Sequence, residues 1–247
     1  MNIFRVTTGI LMLAFVASGL AQRDQQLSEE QIKQIITFMQ EAYAEIDGYT
    51  CTFYKQEHID GEMYPRETIF LKFRKPFQIY MKWIAEPHKG MELLYKRGWN
   101  DGEVRVRQAS FPHLTVNISP TSSLAMKGNR HPVTEAGLGN TIDLIVSDYK
   151  RGKSHPTDSV RYYDRGTKTV FNEEVRCIEA VMPEEPGSGY YGHRAMICIS
   201  ENTNLPIHVR IRNSKSTLVE DYGYANIKIH PGLTATDFSP DNPEYKF

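Results

Sequence analysis

Two periods divide the chain. Over residues 27–46, apolar side chains recur at Ile32, Ile35, Ile36, Met39, Tyr43 and Ile46. Counted from Ile32, the later positions fall 3, 4, 7, 11 and 14 residues on, which draws one stripe along one face of a helix. Ser28 with Gln31 forms a capping box, and Glu29 and Glu30 complement the positive first turn. Gly48 is placed to end that helix. Such a stripe packs against something broad and apolar.

From Tyr49 onward the period drops to two. Segments 49–59 and 68–74 flank Asp60-Gly61, a hairpin turn signal. Phe77, Ile79, Met81 and Trp83 share one face of a strand, while Gln78, Tyr80 and Lys82 take the other. Met91, Leu93 and Tyr95 continue the pattern, as do Val104 with Val106, and Leu114 with Val116 and Ile118. In the second half Ile207, Val209 and Ile211 oppose His208, Arg210 and Arg212. Clean alternation implies one dry and one wet face, the habit of antiparallel sheets. The expected fold class is therefore α+β, mainly antiparallel β: one long, strongly curved sheet that must curl over a cover. The available covers are the N-terminal helix and the middle segment, 119–150. Within that segment Thr134 or Asn140 is placed to cap a helix running to about Tyr149.

Composition changes the picture little. Lys+Arg is 29 against 30 Asp+Glu, a net charge of -1 that argues against a nucleic-acid partner. The N-terminus is more telling. Arg5, an apolar run over 6–16, and the small residues Ser18, Gly19 and Ala21 have the three-part layout of a secretory signal cut after Ala21. Residues 1–21 are expected to be that signal, and 22–247 one domain outside the cytoplasm with no further membrane-spanning segment.

Cys177 and Cys198 flank a hairpin loop around Gly187. In an oxidising compartment they suit a cross-strand disulfide; the alternative is two buried thiols facing each other. Cys51, between Thr50 and Thr52 in a strand, reads as packing rather than a reactive thiol. The eight histidines show no metal-ligand spacing, and no cofactor is indicated. Gly137-Leu138-Gly139 lacks the third glycine and the preceding strand of a phosphate-binding loop. One constellation stands out. Arg130, His131 and Glu135 fall within six residues, either as an acid–base group or as ties that pin an irregular loop.

The segments GYTCTFYKQEHIDGE (48–62), KFRKPFQIYMKW (72–83), KGMELLY (89–95), LAMKGNRHPVTEAGLGN (124–140) and DYGYANIKIHPGLTATDFSPDNPEY (221–245) resemble domain-of-unknown-function family 1571 of bacterial envelope proteins. The resemblance implies a relation to the LolA-like fold of periplasmic lipoprotein carriers, a half-open barrel with helices plugging its apolar concave side. It brings no activity and no catalytic residues. Joined to the pattern above, it implies a non-enzymatic exported protein that binds or carries a lipid, an acyl chain or a lipoprotein. The expected lining is Phe77, Ile79, Met81, Trp83, Met91, Leu93, Val104 and Val106. Two alternatives stand: an envelope domain that contacts a protein partner, or a hydrolase-type enzyme using Arg130, His131 and Glu135.

Overall fold

The structure is a computed structural model that describes residues 25–154, 160–184 and 189–247. The expected signal, 1–21, and the loop centre Gly187 lie outside the described residues. A short strand, β1 (Gln25–Gln26), leads to helix α1 (Glu29–Ala44). The capping box is formed: Gln31 N donates to Ser28 Oγ at 3.3 Å, and Ser28 N donates to Gln31 Oε1 at 2.8 Å. Gly48, contrary to expectation, does not end the helix. Lys75 Nζ donates to the carbonyls of Tyr43 at 2.6 Å and Ala44 at 3.0 Å, so a cation satisfies the last turn. Gly48 instead opens strand β2 (Gly48–Ile59), opposite Arg74.

After the Asp60-Gly61 turn come β3 (Glu62–Met63) and β4 (Glu67–Arg74), both paired with β2. A meander of β5 (Gln78–Trp83), β6 (Glu92–Lys96), β7 (Val104–Arg107) and β8 (Thr115–Ile118) follows. The middle segment holds α2 (Ser123–Met126), a 3-10 turn (Val133–Glu135) and α3 (Leu138–Ser154). The chain then makes β9 (Arg161–Val170), β10 (Glu173–Val181), β11 (Arg194–Ser200), β12 (Pro206–Arg212) and β13 (Leu218–Ile229). The strands form one antiparallel sheet in the order β1-β9-β10-β11-β12-β13-β2-β4-β5-β6-β7-β8, with β3 beside β2. It is open, with β1 and β8 at its edges. Cys177 and Cys198 are directly opposite in β10 and β11 and are joined as a disulfide.

Helices α1 and α3 pack on the concave side against β9–β12. Ile32, Ile36 and Met39 from α1 meet Ile142, Ile145 and Val146 from α3 over Tyr162, Ile178, Ile197 and Val209. Neither Thr134 nor Asn140 caps α3. The helix starts at Leu138, whose N–H donates to the Tyr49 hydroxyl at 3.0 Å. The two glycines beside Leu138 make that approach possible: a Cβ on Gly137 would fall 2.8 Å from the Tyr49 hydroxyl, and one on Gly139 2.5 Å from that of Tyr43.

The convex face is not uniformly wet, which corrects the expectation for Tyr80. Residues 231–247 cross the outside of β5 and β6 as a strap. Phe238 is 0% exposed and packs with Tyr80 and Leu94. Tyr245 stacks on Tyr80 with ring centroids 3.8 Å apart, and Asp237 holds Lys72 at 2.7 Å. Tyr80 and Leu94 occupy outward-phase positions, so the strap covers apolar surface that alternation alone would leave in water.

Candidate ligand-binding site

The strand register builds the site. Inward-facing side chains line up across the sheet in rows. Tyr49, Phe73, Ile79 and Tyr95 form the innermost row; Cys51, Leu71, Met81, Leu93, Val106 and Val116 form the next; Phe53, Ile69 and Trp83 the third. The innermost row is packed solid. Tyr49 stacks on Phe73 at 5.3 Å, Phe73 meets Phe77 edge-on at 5.4 Å, and Phe77 meets Tyr95 at 5.8 Å. Beyond that row the sheet and its cover separate, leaving a hollow of about 490 Å³.

Six of the eight expected lining residues face this hollow: Met81, Trp83, Met91, Leu93, Val104 and Val106. Phe77 and Ile79 do not. They sit at the closed end among the stacked rings, where Ile79 is fully buried. Across the hollow, α3 contributes Leu144, Ile145 and Asp148, facing Tyr162, Met182 and Ile197. Leu124 from α2 and Leu144 line it while remaining 58% and 44% exposed, so they mark where the hollow meets solvent. Burial pushes the Asp148 carboxyl up from 3.8 to about 6, with Arg151 pulling in the opposite direction.

The rim is charged. On β2 the inward phase passes from Tyr49, Cys51 and Phe53 to Lys55 and Glu57; on β13 it passes from Tyr224 and Tyr222 to Glu220. Glu57 and Glu220 are almost fully buried and lie opposite each other in register. The loop after α2 supplies their partners. Arg130 N donates to Glu57 Oε2 at 3.1 Å, and Arg130 Nε donates to Glu220 Oε1 at 3.1 Å. Arg130 Nη1 reaches the His58 carbonyl at 2.8 Å. The Tyr191 hydroxyl donates to Glu220, and that of Tyr222 to Glu57. Lys55 Nζ sits 3.0 Å from Glu67 and 2.7 Å from Asn129 Oδ1, and Trp83 Nε1 donates to Glu67 at 3.0 Å.

Arg130, His131 and Glu135 therefore do converge, but on a buried carboxylate. His131 Nδ1 is 3.1 Å from Glu135 Oε2, and Nε2 is 2.9 Å from Glu220 Oε1. Glu220 is the first cause of a raised His131 pKa. With both ring nitrogens engaged, the imidazole is a tie between loop and sheet. Cys51 is buried, and burial pushes its thiol far above the reactive range. Sequence reading missed Glu57 and Glu220, although the change of inward phase from apolar to charged was there to find them.

A single open, curved antiparallel sheet, with helices on its concave side and an apolar hollow beneath them, defines the class of fold. The chain belongs to the family described as protein of unknown function (DUF1571), whose profile matches residues 46–247. Among solved structures it is similar to the Mycobacterium tuberculosis lipoprotein LppX, with a TM-score of 0.50 and 11% identity, over 84% of this chain and 99% of that one. A LolA superfamily protein from Nitrosomonas europaea matches with a TM-score of 0.36 and 10% identity, over 85% and 98% of the two chains. The Pseudomonas aeruginosa MucA/MucB complex matches with 0.47 and 10%, over 84% and 60%. At these identities the likeness is one of fold. No curated protein matches the chain in sequence.

Proposed function

We propose that this protein binds and carries a hydrophobic ligand, either a lipid or the acyl portion of a lipoprotein, in the bacterial cell envelope, and catalyses no reaction on it. The observation that carries the reading is the 490 Å³ hollow lined by Met81, Leu93, Val106 and Val116 and opening past Leu124 and Leu144. That volume falls within the usual range of small-molecule pockets. Methionines in the wall suit an irregular, adaptable guest. Burying ten methylenes would contribute about 8 kcal/mol, which sets micromolar affinity as the scale once ordering costs are kept small. The engagement of His131 by two carboxylates supports binding over catalysis. The envelope location rests on the secretory layout of residues 1–21 and on the family resemblance.

The test is extraction of the purified protein with organic solvent and mass spectrometry of the extract, followed by titration with a fluorescent fatty acid. Saturable uptake in the micromolar range is expected, and Val106→Trp should weaken it at least about tenfold by filling the hollow while leaving the fold intact. Absence of both co-purifying lipid and saturable uptake would remove the carrier reading.

A further inference from the structure

The opposite surface of the same strands carries a second feature. Arg74, Gln78 and Lys96 are register partners on β4, β5 and β6, and their phase points them away from the hollow. Adjacent strands lie about 4.8 Å apart, so Arg74 and Lys96 are about 10 Å apart at the backbone. The turn after β6 adds Arg97 and Trp99. Together with Pro76, Phe77, Gly98 and Ala235, these residues line a groove on the convex face. Lys96 Nζ lies 5.1 Å from the Trp99 ring centroid, and the Arg105 guanidinium lies 5.5 Å from it.

The charge balance here is unusual for this molecule. Other cations on the outer face of these strands have carboxylate partners: Lys72 has Asp237 at 2.7 Å, and Lys82 has Glu92 at 3.6 Å. Among the described residues, Arg74, Lys96, Arg97 and Arg105 have no carboxylate within 4.0 Å. Arg74 spends its donors on the Leu233 carbonyl at 3.2 Å and Gln78 Oε1 at 3.0 Å, both neutral. Arg105 donates to Asn117, also neutral. No acidic residue lines the groove. Three cations lining one groove without a carboxylate partner, Arg74, Lys96 and Arg97, with Arg105 beside Trp99, in a chain whose net charge is -1, are a local charge excess rather than a general one.

We propose that this groove binds a phosphate group. Lys96 and Arg97 offer charge-assisted donors not taken up by protein acceptors, and Arg74 adds positive potential at the back. Trp99 is the flat platform against which the carbon skeleton bearing the phosphate rests. The spread of cations over about 10 Å suits more than one negative charge, which a phosphate monoester or a row of phosphodiesters supplies. A lipid headgroup and a soluble phosphate share this chemistry. The groove and the hollow are separated by the sheet, so this site stands or falls independently of the carrier reading.

The experiment uses the full chain, isotope-labelled, at about 50 mM salt, where surface electrostatics are weakly screened. The protein has two tryptophans, Trp83 on the hollow and Trp99 on the groove, so two indole N–H signals report the two sites separately. Pyrophosphate is titrated in one arm. In the other, vesicles containing phosphatidylglycerol are compared with pure phosphatidylcholine vesicles in a flotation assay. Expected is a saturable shift of the Trp99 signal, with Trp83 unmoved, or flotation with the anionic vesicles alone; either is lost as salt is raised. A response to pyrophosphate only assigns a soluble phosphate, and a response to anionic vesicles only assigns a headgroup. The double variant Lys96→Glu, Arg97→Glu should weaken the response at least about tenfold, while Lys168→Glu, an exposed reversal on β9, should leave it unchanged. The proposal is overturned by silence in both arms, by an equal shift with sodium chloride at matched ionic strength, by equal flotation with phosphatidylcholine, or by an unaltered response in the double variant.

Discussion

Asp148 is a carboxyl held where its charge is disfavoured. It projects from α3 into an apolar hollow, and burial raises its carboxyl from 3.8 to about 6. The sign of its effect on stability follows. Below 3.8 the carboxyl is neutral both folded and unfolded, so it costs nothing. Between 3.8 and about 6 the folded protein holds a proton that the unfolded chain releases, and the cost grows; above about 6 it is present in full. Asp148→Asn is therefore expected to stabilise the protein at neutral pH, on the order of 1 kcal/mol after discounting for partial solvent contact, and to have no effect near pH 3.5. Urea denaturation of both proteins at the two pH values checks this, and a gain of equal size at acid pH would contradict it. The position was not legible in sequence. Asp148 is one polar residue among several in 138–154, and only the placement of α3 over Met182 and Tyr162 turns it inward.

At the scale of elements, the strap 231–247 makes the clearest demand on stability. Phe238 is enclosed by Tyr80 and Leu94, with the Arg74 guanidinium 5.3 Å from its ring centroid. Phe238→Ala removes a buried aromatic ring and should cost about 3 kcal/mol, read as a lower midpoint in urea denaturation. An unchanged midpoint would mean that the strap is not packed as described. What the sequence discloses tracks how local the physics is. Helix α1 announces itself because capping box and stripe lie within twenty residues, and the strands announce themselves through their period. Helix α3 hides its start because its cap is the hydroxyl of Tyr49, which is 89 positions away. Its end is no better marked, since the helix runs on past Tyr149 to Ser154. The strap hides because 231–247 contains Pro231, Pro240 and Pro243 and has no period of its own. Its trace is Tyr80 and Leu94, two apolar residues in the outward phase. The rim was legible in the same way, through Lys55, Glu57 and Glu220 in the inward phase.

For the whole molecule, the question is what holds the cover over the hollow. The loop over 124–137 is tied at the seam where β2 and β13 meet: Arg130 and His131 reach Glu57 and Glu220, Arg130 also reaches the His58 carbonyl, and Asn129 accepts from Lys55. Removing the Arg130 side chain leaves buried Glu220 without its guanidinium and frees the His58 carbonyl, while Glu57 keeps Lys55 at 3.2 Å and the backbone N–H of residue 130. Arg130 is itself partly solvent-exposed, so we take about 2 kcal/mol rather than the larger cost of a fully buried pair. This corresponds to about thirtyfold faster hydrogen exchange of the loop amides in Arg130→Ala, with little change in the strands. His131 adds a pH dependence. Its pKa is raised, first by its bond to Glu220 and further by Glu135 and Glu57, against an opposing contribution from burial. Raised in the closed state, it stabilises closure fully below its unfolded value near 6.5, and that contribution is lost as pH rises through the folded value. The loop should accordingly be better protected at about pH 6 than at about pH 8.5 once intrinsic exchange rates are corrected, and release of a bound fluorescent fatty acid should be faster at the higher pH. His131→Ala should abolish the difference between the two pH values without reproducing the full effect of Arg130→Ala, because Arg130 still bridges Glu57 and Glu220. If Arg130→Ala leaves loop exchange unchanged, the carboxylate pair is not what closes the hollow, and the cover is held instead by the packing of α3 on α1.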